Sequence, residues 1–509
     1  MLSEPIEAEL VNPSVLSPYQ EEEFRQLKRK GPLTRYSSTH TQVSSPLETN
    51  LHDLEKSYAK NGYHIVTFEE GKHEDPREWT HGCKWMVTLG AAFLCLSVAV
   101  GSSIVTGDMS GPANEFGTTQ IIANLTVTCF VIGFGIGPLF LSPLSEIYGR
   151  RPIYMVLMLL YFIFTLPSAL AKNAATLIVA RQIAGIAASA PVCNGCVADV
   201  WAIEERGLLM ALFSATLFIG PCLGPMVGSW IGERAGWHWI YWVLFIFVGF
   251  CFILACIVPE SLAPVLLRKK AERLWKETGD DRYQTLEELE RMSFQDMLKI
   301  ALTRPLIMLF TESIILFMSF YLSFIYALLY LMFFAFLITF EEIRGFSAGM
   351  VGTTFVSIMI GILRAGLVMP FQEKLYARAT RNGHYPKARL FPMMAGTFLM
   401  PASMFMFAFT GAYPWVHWIA PCISGTLFGF SMILVYVSAN SYILDSYSSF
   451  GASTMAAKTF MRSEIGAMVP LFVNPMFHNM GFQFGERIRL QSRLASKGRK
   501  GGMRSGAAV

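Results

Sequence analysis

Apolar stretches of about twenty residues, the length a helix needs to cross a bilayer, recur along this chain. They lie near residues 85–106, 119–141, 152–171, 175–198, 208–231 and 237–258. After a polar interval five more follow, near 310–339, 347–369, 390–411, 415–437 and 452–476. Runs this long satisfy their backbone inside hydrocarbon only as helices or closed barrels, and strands would be half as long. Composition agrees: 15% of the 509 residues are charged and 53% are apolar, against about 25% charged in soluble domains. The expected fold class is an all-α membrane protein with two helical bundles around a central cavity.

The spans divide the chain. Residues 1–83 are polar, lack an apolar leader and read as a disordered cytoplasmic arm. Residues 84–258 form a six-helix bundle, 259–305 a charged cytoplasmic loop, 306–480 a second bundle of five spans, and 481–509 a basic tail. Six and six around such a loop is a common transporter plan, and this chain is one span short of it. With the N-terminus inside, the Arg/Lys-rich loops all fall on the cytoplasmic side. The tail, with seven basic residues from Arg487 on, would then fall outside, against the same rule.

Several functions lose support at once. There is no phosphate-binding Gly-x-x-x-x-Gly-Lys-Ser/Thr loop and no paired histidine spacing of a metal site, so neither an ATP-driven pump nor a metalloenzyme is expected. The chain is expected not to be an enzyme, to need no cofactor beyond a proton gradient, and to bind no nucleic acid. Its partners are a small-molecule substrate, protons and the lipid bilayer, and it is expected to act as a monomer. Most of the nine cysteines lie in apolar segments and read as reduced packing residues; Cys193 and Cys196 read the same way. Asn124 begins a glycosylation sequon inside a span, where no sugar is expected.

Four short motifs carry the function. "LSPLSEIYGRRPIY" sets Glu146, Gly149, Arg150 and Arg151 in a tight loop after the second span. Such a loop can hold helices together by charge-assisted bonds, and Asp199 is expected to join it as a latch that parts when the inner gate opens. "FIGPCLGPMVGSWIGE" in the fifth span repeats glycine every four residues at Gly220, Gly224 and Gly228. That gives one smooth face for close packing, while Pro221 and Pro225 remove backbone donors. Arg181 lies inside the fourth span, where an unpaired charge is costly and usually functional. The seventh span is lined with aromatics, including Tyr321, Tyr326, Tyr330 and Phe334, a wall suited to flat lipophilic molecules.

Together these stretches resemble the major facilitator superfamily, and within it the fungal twelve-span drug:proton antiporters that export drugs, polyamines and toxins. "LSPLSEIYGRR", "LIVARQIAGIAASAP" and "FIGPCLGPMVGSWIGE" look like that superfamily's motifs A, B and C, with Ser142 and Ser229 replacing motif glycines. "PESLAPVLLRKKAERL", "NGHYPKARL", "YILDSY" and "KTFMRS" resemble segments of the fungal group, over about Asp75 to Gly481. The resemblance implies a proton-coupled antiporter in the plasma membrane, with the vacuolar membrane as the alternative, exporting a drug, toxin or secondary metabolite by alternating access. Arg181, Asp108, Glu312, Lys458 and Glu464 are the expected proton-coupling and cavity residues. Relatives usually have asparagine where Lys458 stands, and many have glutamate where Phe334 stands. An aromatic wall without carboxylates favours a neutral or weakly acidic aromatic substrate over a polyamine. The resemblance also implies a lost or mis-spliced twelfth span near Gln483 and Phe484, and a cytoplasmic tail. Two other readings remain at this stage: a proton-coupled uptake carrier, and a non-transporting sensor or inactive paralogue, suggested by the missing span.

Overall fold

The structure, a computed structural model, describes residues 64–480 apart from 70, 72, 190–194, 202–205, 281, 286–287, 289–293, 380–388 and 448–450. The expected missing span and the basic tail at 481–509 lie outside the described residues. Among the described residues, eleven helices matching the expected spans form two groups, with Phe294–Thr311 an additional helix ahead of the second. The first contains α1 (His81–Ser103), α2 (Gln120–Tyr148), α3 (Arg150–Ala169), α4 (Ala174–Ala188), α5 (Arg206–Ala235) and α6 (Trp237–Ile257). The second contains α7 (Ser313–Leu337), α8 (Val356–Ala379), α9 (Leu390–Gly411), α10 (Ile419–Ser446) and α11 (Gly451–Met480).

Nine of the described helices are long and apolar enough to cross a membrane. α4 is shorter, and α11 is long but carries Lys458, Arg462 and Glu464. α1 continues as a 3-10 turn over Ile104–Gly107, α7 ends in a π-turn over Ile338–Glu342, and a short helix, Ala348–Thr354, leads into α8.

Within the first group α1 packs on α5, α2 on α4 and α3 on α6; in the second, α7 packs on α11 and both α8 and α9 pack on α10. The halves meet along two seams, α2 with α11 and α5 with α8. Exchanging the halves (α1 for α7, α2 for α8, α5 for α11) maps one seam onto the other, as an internal repeat about a membrane-normal axis requires. Packing rather than hydrophobic expulsion must hold helices together in lipid. Interlocked rings supply it in the second half, where Phe336 stacks on Phe355 and Phe407 at 5.1 Å each.

Several described residues between 64 and 80, a stretch expected to belong to a disordered arm, have defined contacts. His64–Ile65 pairs in parallel with Tyr283–Gln284, and Lys270, on the loop helix Ala263–Thr278, bridges Glu69 and Glu74. This end of the arm is ordered by the central loop some two hundred residues away, so its own composition could not announce it.

Candidate functional site

The α2–α3 junction shows why its residues take the order they do. Gly149 has φ of 104°, a region open at little cost only to glycine. A side chain there would also run into the carboxylate of Glu260. That carboxylate is buried and caps the start of α3. Oε1 accepts from the backbone N–H of Arg150 (3.0 Å), Ser261 and Leu262 (both 3.1 Å), and Oε2 from that of Arg151 (3.1 Å). Negative charge at a helix N-terminus is favourable. Arg150 donates from Nε to Asp199 at 3.2 Å and from Nη1 to Ser145 Oγ at 2.9 Å, and Arg151 reaches the Cys256 carbonyl at 2.9 Å. Glu146 is exposed. The junction therefore ties α3 to the end of α2, to the short helix Gly195–Val200 and to the end of α6, all in its own bundle. The latch expected from the loop is seen here in its bonded state, with every partner inside the first bundle. Gly149→Ala is expected to cost at least about 1–2 kcal/mol from backbone conformation alone, read as a lower melting temperature of the purified protein.

The second half repeats the arrangement. Arg389, at the start of α9, donates to Asp445 near the end of α10 at 3.1 Å, and Tyr376 of α8 donates to the same oxygen at 3.0 Å. Arg150–Asp199 and Arg389–Asp445 occupy equivalent places under the exchange of halves.

The glycine face of α5 lies against α1. A side chain at Gly220 would meet Ala99, at Gly224 Ser103, and at Gly228 the carbonyl of Ile104. The opposite edge of α5 meets the other half. Gly352 sits against the Pro225 carbonyl, Trp230 Nε1 donates to Thr353 Oγ1 at 3.0 Å, and Glu233 accepts from Gly349 N–H at 2.6 Å. Across the second seam Asn124, 1% exposed, donates to the Pro470 carbonyl at 2.7 Å. These inter-half bonds all lie toward the side away from the basic loops.

Between the seams lie buried cations. Arg181 donates from Nη2 to the Gly101 carbonyl (2.7 Å) and from Nε to that of Thr126 (3.4 Å), with its guanidinium 4.0 Å above the Phe130 ring. Backbone carbonyls and a ring face take the place of a counter-ion. Lys458 and Arg462 are equally buried, on either side of the Tyr436 hydroxyl. Tyr326 and Tyr330 pack against each other at 5.2 Å, and the Arg462 guanidinium lies 4.5 Å over Tyr326.

With this geometry in place, comparison with known proteins decides the family. The model described as Major Facilitator Superfamily matches residues 89–470. The chain belongs to the Major Facilitator Superfamily. It stands with that superfamily's fungal drug:proton antiporter family. The MFS-type transporter paaT of Penicillium rubens is 40% identical over 453 residues, 88% of this chain and 82% of that protein. The efflux pump FUB11 of Gibberella moniliformis is 36% identical over 461 residues, 87% of this chain and 77% of that one. Among solved structures the proton:xylose symporter XylE shares the fold, with a TM-score of 0.58 at 16% identity over 80% of this chain and 92% of that one. This facilitator is thus a multi-pass membrane protein and a secondary transporter of a small molecule, not an enzyme.

The remaining expected residues are dispersed in the facilitator. Asp108 ends the 3-10 turn after α1 and accepts from Gly111 N–H at 2.8 Å. With Glu233, Glu341, Glu342 and Phe334 it lines a cavity of about 370 Å³ between the halves. Glu312 lies at the other end of α7 and accepts from the Tyr447 hydroxyl at 3.1 Å. Tyr321 is separate from the other tyrosines, bonding Thr397 of α9 at 2.8 Å. Glu464 is half-buried against Gly135 of α2, and its Oε1 has no hydrogen-bond partner among the described residues. Cys193 lies outside the described residues, while Cys196 lies 3.3 Å from the Tyr154 hydroxyl. Two residues central to these contacts, Glu260 and Arg462, were not among those expected. For Glu260 the available signal was a lone acid at the end of an apolar span, just before a basic helix.

Proposed function

We propose that this facilitator is a proton-coupled antiporter that exports a small aromatic or lipophilic compound across the plasma membrane, with the vacuolar membrane as the alternative site. The observation that carries this reading is the double role of α5. Its glycine face fuses it to α1, while its other edge bonds the opposite half through Trp230 and Glu233. An α1–α5 unit held this tightly moves as one piece, and outward opening must break the bonds to Thr353, Gly349 and Pro470 together. Rocking of two rigid bundles about a central site is alternating access.

Glu464 is the carboxylate placed to carry the proton. It sits on a seam between the halves and has no ion pair to break among the described residues. One proton falling through about 100 mV and about two pH units supplies roughly 5 kcal/mol. That sustains a gradient of about three to four decades for a neutral substrate, enough for detoxification. Glu464→Gln is expected to leave surface expression and substrate exchange intact while abolishing net proton-driven efflux. A variant with undiminished pumping removes Glu464 from the role.

The direct cellular test is accumulation of a panel of toxic aromatic compounds in cells with and without the gene. Export predicts lower accumulation of some compounds when the gene is present. Higher accumulation of a compound with the gene would support the uptake reading, and no difference for any compound overturns export.

A further inference from the structure

Lys458 and Arg462 stand one helical turn apart on α11, 2% and 1% exposed. Charges this deep are normally paired, and like charges at this spacing repel. Lys458 Nζ donates to Asn440 Oδ1 at 2.7 Å and to the Tyr436 hydroxyl at 3.4 Å; Arg462 Nη1 donates to the same hydroxyl at 2.9 Å. Among the described residues neither has a carboxylate partner. Glu464, two positions on, leans on Gly135 of α2 instead.

The decisive detail is on the guanidinium. Its Nε and Nη2 are buried and have no hydrogen-bond partner among the described residues. These two nitrogens share one edge of the planar group, the edge that grips a carboxylate through two parallel N–H···O bonds. Two aromatic rings face it and a third, from another helix, backs them. Tyr326 of α7 lies 4.5 Å from the guanidinium carbon, Tyr436 of α10 lies 5.7 Å away, and Phe218 of α5 packs edge-on against both rings. The site is thus built from both halves.

We propose that the transported substrate is an aromatic organic anion whose carboxylate is held by Nε and Nη2 of Arg462, with Lys458 one turn away and the substrate ring among Phe218, Tyr326 and Tyr436. This rests on the transporter reading and names its substrate class. An anion supplies the two acceptors that Arg462 lacks and offsets the unpaired charge, which a neutral compound does not. A cation would add to the repulsion, so polyamines are excluded from this site.

Isothermal titration calorimetry on the purified full chain in nanodiscs tests the proposal with three isosteric probes: 2-naphthoate, 2-naphthamide and 2-naphthylmethylammonium. Charge-assisted bonds contribute about 1.5–3 kcal/mol, so the anion is expected to bind about ten- to a hundredfold more tightly than the amide, with no binding of the cation. Inorganic phosphate at the same concentration is expected not to compete. Arg462→Met removes the fork and its repulsion with Lys458, whose bonds to Asn440 and Tyr436 remain, and replacing a buried charge by a well-packed apolar side chain often keeps or raises stability; it is expected to fold and lose the preference for the anion. Arg462→Lys keeps the charge but not the fork, and is expected to bind naphthoate more weakly than wild type. Equal binding of amide and anion, competition by phosphate, or unchanged naphthoate affinity in either variant overturns the proposal. Naphthoate transport with the expected anion preference but without response to a proton gradient would sink the proton-driven export reading and leave this one standing; proton-driven efflux with no preference for the anion would do the reverse.

Discussion

Replacing Glu260 by alanine is expected to destabilise the protein more than loss of any other side chain at the basic-loop end. Its two oxygens accept four backbone N–H groups, two of them opening α3 and two in the segment that leaves α6. A hydrogen bond to a charged group contributes about 1.5–3 kcal/mol. Water can re-solvate some of the four donors at the membrane surface, so the net loss is about 3 kcal/mol. The melting temperature should fall by several degrees, and transport should fall with it because α3 and α6 no longer move together. Glu260→Gln keeps one carbonyl acceptor but turns an amide N–H₂ toward donors, so it should lie between alanine and wild type. A Glu260→Ala protein with wild-type stability would show that the four bonds carry no net weight.

Gly228→Val is expected to abolish transport. The added carbons fall on the backbone carbonyl of Ile104, which is part of a helix and cannot rotate aside. Overpacking of this kind costs about 1–3 kcal/mol even where side chains can yield, and here the two helices must separate. Gly366→Val is the control: it lies on α8 with nothing within 4 Å of its added Cβ, and should transport normally. The comparison is made by efflux at matched surface expression. Equal activity in the two variants would refute the idea that α1 and α5 move as one unit.

Much of this architecture was legible in the sequence because lipid imposes a simple rule on spans. The first span was expected at 85–106, and the helix with its terminal turn covers His81–Gly107. Hydropathy marks where lipid ends, not where a helix ends. Hence α2 and α10, expected to stop near 141 and 437, run on to Tyr148 and Ser446 through polar residues, and that overrun places Asp445 beside Arg389. The glycine repeat of α5 was readable as a packing face because spacing alone defines it, but which helix it packs on was not. Arg181 announced itself as a charge inside a span. Its carbonyl partners at Gly101 and Thr126 come from two other helices, information no local window holds. Glu260 and Arg462 were missed for the same reason. Their partners lie about 110 residues away for Glu260 and on two other helices for Arg462.

The central claim is proton-driven export, and inside-out plasma-membrane vesicles test it most directly. Their lumen corresponds to the cell exterior. An imposed acid lumen should drive a compound identified by the accumulation panel into the vesicles, and a protonophore should release it. For a weak acid this outcome has no passive route, because passive trapping collects such compounds on the alkaline side. Accumulation that ignores the gradient, or that requires an alkaline lumen, would contradict the account.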